Sequence, residues 1–326
     1  MKFIPLRPVL IYPAVAVLLL LSFTQRGYCQ VIAAADKKKL ALKEDTLIFY
    51  ARNLVLDSST ADRMISDSIF TRTLVRALQI KNSFYFPFDS VQGISKLYAP
   101  DSTFRIFTWG LLYDDFYSRQ RGAIQLRTRD GSLKLIPLRD VSEFTNNAAD
   151  SVRGKTNWIG AIYYNMIKRE YRGKNYYTLF GIDYNNVRST KKWIEVLTFN
   201  EKNEPVFGGP IFSYERDSVK KAPQYRFGLE YKKDARVLAN FIEEVDMILV
   251  DHLISETNEP DDKWTMVPDG DNEGFKWENG KWVHVNKVFN MKLKDGEAPA
   301  PLPLRDKNGN PIKQLPVKDQ RENDPH

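Results

Sequence analysis

The residues of this chain that could do chemistry are few and scattered. Two histidines, His252 and His284, lie in its body, and a third, His326, is the last residue. A catalytic histidine needs one group to orient it and another to exchange its proton. No HExxH pattern supplies a metal-binding pair, and no G-x-S-x-G elbow supplies a nucleophile. Asp251 and His252 are neighbours whose side chains would point to opposite faces of a strand. Both body histidines therefore read as structural. Carboxylates such as Asp183, Asp251 and Glu195 could work as a hydrolytic pair only if the fold set two of them about 5–10 Å apart in one cleft.

One segment carries the ligand chemistry of a calcium loop. Asp269, Asp271 and Glu273 offer oxygens at alternate positions and Gly274 follows, as in the first half of such a loop. The twelfth position, where a bidentate glutamate would close the site, is Gly280. Ca2+ is the single cofactor these residues raise. The competing reading is a polar turn leading into Phe275-Lys276-Trp277, with Asn279-Gly280 turning the next hairpin. Arg153-Gly154-Lys155-Thr156 copies the end of a phosphate-binding loop, but Ala149 stands where its first glycine belongs. Six tryptophans (Trp109, Trp158, Trp193, Trp264, Trp277 and Trp282) could line a groove for sugars or apolar ligands. Rings at strand spacing belong first to a core, because each buries about 150–250 Å².

The elements that must position these groups are mostly strands. Between Trp158 and Tyr231, 16 of 74 residues are aromatic, in five apolar runs separated by polar turns. Tyr225, Phe227, Leu229 and Tyr231 alternate with Arg226, Gly228 and Glu230, the period of a strand with one buried face. Tyr176, Thr178, Phe180, Ile182 and Tyr184 repeat it, with Asp183 on the opposing face. Short connections such as Glu201–Pro205 suit antiparallel neighbours. ISKLYAP, TFRIFTWGLLY, GAIQLRT and LKLIPL read as four further strands, with Asp130-Gly131 as a hairpin signal between the last two. Residues 139–156 form a polar surface loop, and the aromatics around Pro87 plug the sheet.

Ahead of the strands come two helices. Leu40, Leu47, Ile48, Ala51, Leu54 and Val55 recur at helical spacing between Asp36 and Leu56. A second helix starts at Ser59, with Asp62 three residues later, and runs to Gln79. Its inward residues are predicted to be Met64, Ile65, Ile69, Leu74, Val75 and Leu78. From Arg236 to Leu253 the apolar periodicity favours a helix, although the segment also divides into two strands about Glu243–Asp246.

The 326 residues include 48 basic and 41 acidic ones, for a formal charge of +7. The two signs are interspersed and the longest basic run is Lys37-Lys38-Lys39, which excludes the dense stripe of a nucleic-acid binder. The first 29 residues have the pattern of a cleaved export signal. Lys2 and Arg7 precede an apolar run from Val9 to Phe23, shorter than the ~20 residues of a membrane span. Arg26, Gly27 and Tyr28 before Cys29 do not suit lipidation, so cleavage after Cys29 is expected. Removing Lys2, Arg7 and Arg26 lowers the charge to +4. The mature chain then has no cysteine, hence no disulfide and no thiolate. Glu297–His326 holds six prolines and reads as a disordered tail.

NSFYFPFDS, FRIFTWG, IGAIYYNMI, YYTLFGIDYN, STKKWIEVLTF, FGGPIF, MILVDHL and VPDGDNEGFKWENGKW, taken in order, resemble a family of uncharacterised exported proteins of Gram-negative bacteria. The resemblance spans about Asn82 to Phe289. It implies a hairpin rather than a helix over Arg236–Leu253, and it brings no activity, cofactor or catalytic residue.

The expectation is thus an α+β protein: export signal 1–29, helical segment 30–81, antiparallel β domain 82–290 and tail 291–326. The β domain is a meander that forms a barrel, a sandwich or an open sheet. The preferred function is a non-catalytic binding or structural role in the periplasm or outside the cell, using an aromatic face or barrel mouth for an envelope ligand or protein. The alternative is a hydrolase of an envelope polymer working through paired carboxylates. No nucleic-acid partner and no membrane span after signal cleavage are expected.

Overall fold

The structure is a computed structural model that describes residues 31–288. The expected export signal (1–29) and the expected proline-rich tail (291–326) lie outside the described residues. Two helices come first, α1 (Ala34–Leu56) and α2 (Thr60–Leu78). The Ser59 hydroxyl accepts from the Asp62 amide at the start of α2, as the sequence foretold. Such a cap contributes about 1 kcal/mol.

Fourteen strands follow in the described residues, in three sheets. The first sheet has the order β1 (Ser95–Tyr98), β2 (Phe104–Leu112), β3 (Ser118–Leu126), β4 (Lys134–Arg139). The second contains β5 (Ile162–Tyr171), β6 (Lys174–Asp183), β7 (Ser189–Phe199) and β10 (Arg226–Lys232), with β8 (Pro205–Phe207) paired to β7. The third has the order β11 (Ala239–Ile242), β12 (Met247–Ser255), β13 (Met266–Glu278), β14 (Lys281–Val285), β9 (Phe212–Ser213). All pairs are antiparallel except β14 with β9, which is parallel. The sheets are open, and no barrel closes among the described residues. No helix described is long and apolar enough to cross a membrane.

Helices and sheets stack in layers because the middle strands bury both faces. Phe107, Trp109 and Leu111 of β2 pack with the helices, while Phe104 and Ile106 of the same strand pack with the second sheet. Tyr177 and Leu179 of β6 continue that second core, and Phe180 turns into a third core shared with Ile248, Phe275 and Trp282. The period-two reading of β6 as half-buried is therefore corrected. Thr178 and Phe180 on one face and Tyr177, Leu179 and Asp183 on the other are all buried.

Three other expectations are corrected. Met64 and Ile65 of α2 are 46% and 56% exposed, and the buried face instead contains Arg63, Asp67 and Phe70. Polar residues can lie inside because the sheet meets them. Asp67 accepts from Trp109 Nε1 at 2.8 Å, and Arg63 donates to Leu112 O at 3.0 Å. Residues 236–253, where periodicity favoured a helix and the resemblance a hairpin, form the β11–β12 hairpin, turned by Glu243–Val245 and by Asp246 at φ 49°. Periodicity misled there because Ile248 and Val250 pack against strands distant in sequence. Residues 269–273 are neither turn nor loop but part of the long strand β13.

Local turn chemistry was legible. Asn279 (φ 49°) and Gly280 (φ 81°) make the two-residue turn between β13 and β14, both in the left-handed region that type I′ turns require. A Cβ on Gly280 would also lie 2.5 Å from the Tyr171 ring.

Candidate functional site

An apolar cavity of about 840 Å3 opens where β1 and β5, the edge strands of the first two sheets, meet beneath the end of α1. Leu54 and Val55 of α1, Ile94 and Leu97 around β1, and Ile162 and Ile182 of the second sheet supply its apolar lining. The edges are tied by Ser95, whose hydroxyl donates to Tyr163 O, and by the Tyr163 amide, which donates to Thr108 Oγ1 at 3.0 Å. The register of β5 against β6 slips between Tyr163 and Asn165. This bulge leaves Tyr164 unpaired and turns two consecutive tyrosines into the cavity wall.

Gln120 marks the polar end of the cavity. Its backbone amide donates to Asp140 Oδ2 and its side-chain amide to Asp183 Oδ1, each at 2.8 Å. Its Oε1, in a residue only 2% exposed, has no partner. A buried acceptor left without a donor costs about 1–3 kcal/mol, so an unmatched one calls for a reason. Gly110 packs closely beside it, where a side chain would not fit without displacing Gln120. A Cβ there would stand 2.9 Å from Gln120 Oε1 and 3.3 Å from Ile162 Cδ1. Burial raises the pKa of Asp183, partly opposed by the Asn185 amide and the charge of Lys191.

The hydroxyls of Tyr163, Tyr164 and Ser118 are engaged. Tyr163 donates to Glu195 and Tyr164 to Ala239 O, and burial raises both phenol pKa values. Ser118 donates to Asp183 and Asn185 O. No lining residue is a histidine.

Sequence reasoning missed a second, polar cleft of about 660 Å3, built from the β9–β10 connection, β7, β10 and the third sheet. His284 is at its base, 6% exposed. Its Nδ1 meets both carboxylate oxygens of Asp217 at 2.9 Å, and its Nε2 meets Glu273 Oε2 at 3.1 Å. Burial alone would lower its pKa, but the hydrogen bonds and charges of Glu273 and Asp217 outweigh it and raise the value. An imidazole with a carboxylate at each nitrogen has neither nitrogen free for a substrate. Nothing in the sequence spacing joins Asp217 to His284, because the contact arises across a parallel strand pair.

The residues singled out in the sequence have separate partners, except that Asp269 and Glu273 both meet the His252 ring. Asp269 faces His252 Nδ1 at 2.8 Å, Asp271 pairs with Lys287 at 3.0 Å, and Glu273 lies between His284 Nε2 at 3.1 Å and His252 Nε2 at 3.8 Å. Among the described residues no three of His, Cys, Asp and Glu gather as a metal-ligand set. Asp183, Asp251 and Glu195 share no hydrogen-bond partner. Asp251 accepts from the Leu238 amide and Asn272, and Glu195 pairs with Arg226 at 3.1 Å. Trp109, Trp158 and Trp282 are core, and Trp264 lies under Arg188. Trp193 lines the polar cleft.

Comparison with protein-family models, with curated proteins and with solved structures finds no match to this chain.

Proposed function

We propose that this is an exported cell-envelope protein with a non-catalytic binding role, and that the cavity beside α1 holds an apolar small molecule. One observation carries the reading: a cavity of about 840 Å3 with apolar walls and one buried, unpartnered acceptor, Gln120 Oε1. Ligand pockets have roughly 300–1,000 Å3, apolar linings and a few placed polar groups. The leader-like first 29 residues and the resemblance to exported proteins support the location. The expected barrel mouth is replaced by a gap between the edges of two open sheets.

A hydrolase reading rests on Asp217 and Glu273, two carboxylates in one cleft. Both are bound to His284 and occupy its two ring nitrogens, so the trio has no imidazole nitrogen left to face the cleft. The binding reading has the stronger support.

Titration of the full chain with the neutral fluorophore N-phenyl-1-naphthylamine tests it. The wild type binds the fluorophore, and Gly110→Leu, which fills the cavity beside Gln120, binds at least about tenfold more weakly, a loss of ~1.4 kcal/mol or more. Equal binding by a folded Gly110→Leu protein would place the ligand elsewhere and sink the proposal.

A further inference from the structure

The proposal that the cavity binds a small molecule leaves open which chemistry it selects. Two lysines answer that question, Lys96 at β1 and Lys233 just after β10, both lining the cavity. Lys96 Nζ donates to Phe88 O and Val91 O, and Lys233 Nζ donates to Tyr184 O at 2.6 Å. These carbonyls fix where the ammonium groups stand without neutralising them. Among the described residues neither lysine forms an ion pair, and each keeps at least one N–H free. The single carboxylate of the lining, Asp115, is exposed.

We propose that the ligand is an anionic amphiphile, its carboxylate or phosphate head held by Lys96 and Lys233 and its hydrocarbon body lying against Val55, Ile94, Leu112 and Ile182. This rests on the binding role proposed above. Three independent features support it. Burial lowers the pKa of both lysines, opposed for Lys96 by Asp89 and Glu44 and for Lys233 by Asp183 and Asp234. The ammonium groups are thus partly desolvated with no ion-pair partner, a cost that an anion would relieve. The mouth is apolar: Val55, Leu112, Tyr184 and Val187 all expose more than a third of their surface around it. A cluster of exposed apolar side chains around an open cavity marks a ligand site rather than ordinary surface. Finally, the lysines of the polar cleft differ: Lys191 is paired with Glu230 at 3.6 Å, and Lys221 and Lys263, which form no ion pair among the described residues, are exposed to water.

Competition for bound N-phenyl-1-naphthylamine distinguishes the chemistries, using palmitate, hexadecyl phosphate and hexadecanol, which share one chain. Either anion is expected to displace the fluorophore at a concentration at least about tenfold below that of the alcohol, the worth of one charge-assisted hydrogen bond. Palmitate preferred over the phosphate would indicate free fatty acids, and the reverse would indicate phosphorylated lipids. Within each of Lys96→Gln and Lys233→Gln, the ratio of anion to alcohol affinity shrinks towards one. Because it is a ratio, a general loss of affinity does not imitate it, and the wild-type comparison needs no variant. If the alcohol competes as well as the anions, the cavity reading stands and the anionic head is wrong. If the ratio survives in both variants, the lysines are wrongly assigned. A wild type that binds no fluorophore and no amphiphile overturns both proposals.

Discussion

The apolar cavity and the polar cleft differ in how they treat charge. In the cleft the less exposed charges are paired, Asp217 and Glu273 flanking His284 and Glu230 facing Lys191, while the unpaired Lys221 and Lys263 are exposed to water. In the cavity two half-buried lysines are held only by backbone carbonyls. The first arrangement is closed, since any ligand would have to displace an internal partner. The second is open, because desolvated charge without a partner is a site waiting for one. Charge density alone does not mark a binding site; unmatched charge held partly away from water does.

A buried chain runs between the two. Trp158 Nε1 donates to Tyr163, Tyr163 to Glu195, and Glu195 pairs with Arg226, whose far end donates to Ala148 O and Ser151 O. Tyr163 lines the cavity and Ala148 lines the cleft. Glu195 and Arg226 are 1% and 0% exposed.

Breaking this partition has the largest expected effect. Glu195→Gln leaves Arg226 charged and buried with no counter-ion, a loss of about 3–5 kcal/mol in chemical denaturation. Loss of less than about 1 kcal/mol would mean that the carbonyls of Ala148, Ser151 and Phe207 suffice for Arg226. The cleft's clamp is worth less and depends on pH. The folded-state pKa of His284 is raised above its ordinary value near 6.5, so its contribution is complete below that pH. It is lost as pH rises through the folded-state value. His284→Gln should therefore cost on the order of 2 kcal/mol at pH 6, and that difference from wild type should shrink in alkaline buffer. A difference independent of pH would show that the ring acts by packing against Tyr214 and Phe275, its neighbours at 5.0 and 5.2 Å. Smallest of all is Lys191→Gln. Its pair with Glu230 is solvent-accessible and should contribute under about 1 kcal/mol, and its loss should leave amphiphile competition unchanged. A shift in competition would erase the contrast drawn between the two lysine environments.

How much could be read in advance depended on the range of the forces involved. The Ser59 cap, the Asn279-Gly280 turn and the strands of the first sheet follow from neighbours within a few residues, and all were legible. The buried face of α2 was not, and periodicity alone misjudged Arg236–Leu253, for which the resemblance implied the hairpin that forms. In α2, Asp67 is buried because Trp109 and Arg121 reach it from two strands, which outweighs the pull of Met64 and Ile65. His284 was read as a satisfied structural histidine, but its partners, Asp217 and Glu273, could not be named from spacing.

The amino-acid sequence by itself determined the class of this protein: two amphipathic helices, then short aromatic strands joined by antiparallel turns. Those features come from local sterics and from alternation of apolar residues, which are written into adjacent positions. Tertiary structure alone decided that the sheets stay open, that β5 bulges at Tyr164, and that Gly110, Gln120, Lys96 and Lys233 border one space. These residues are far apart in the chain. They come together only because sheets buried on both faces must stack, and their edges do not close where β1 meets β5.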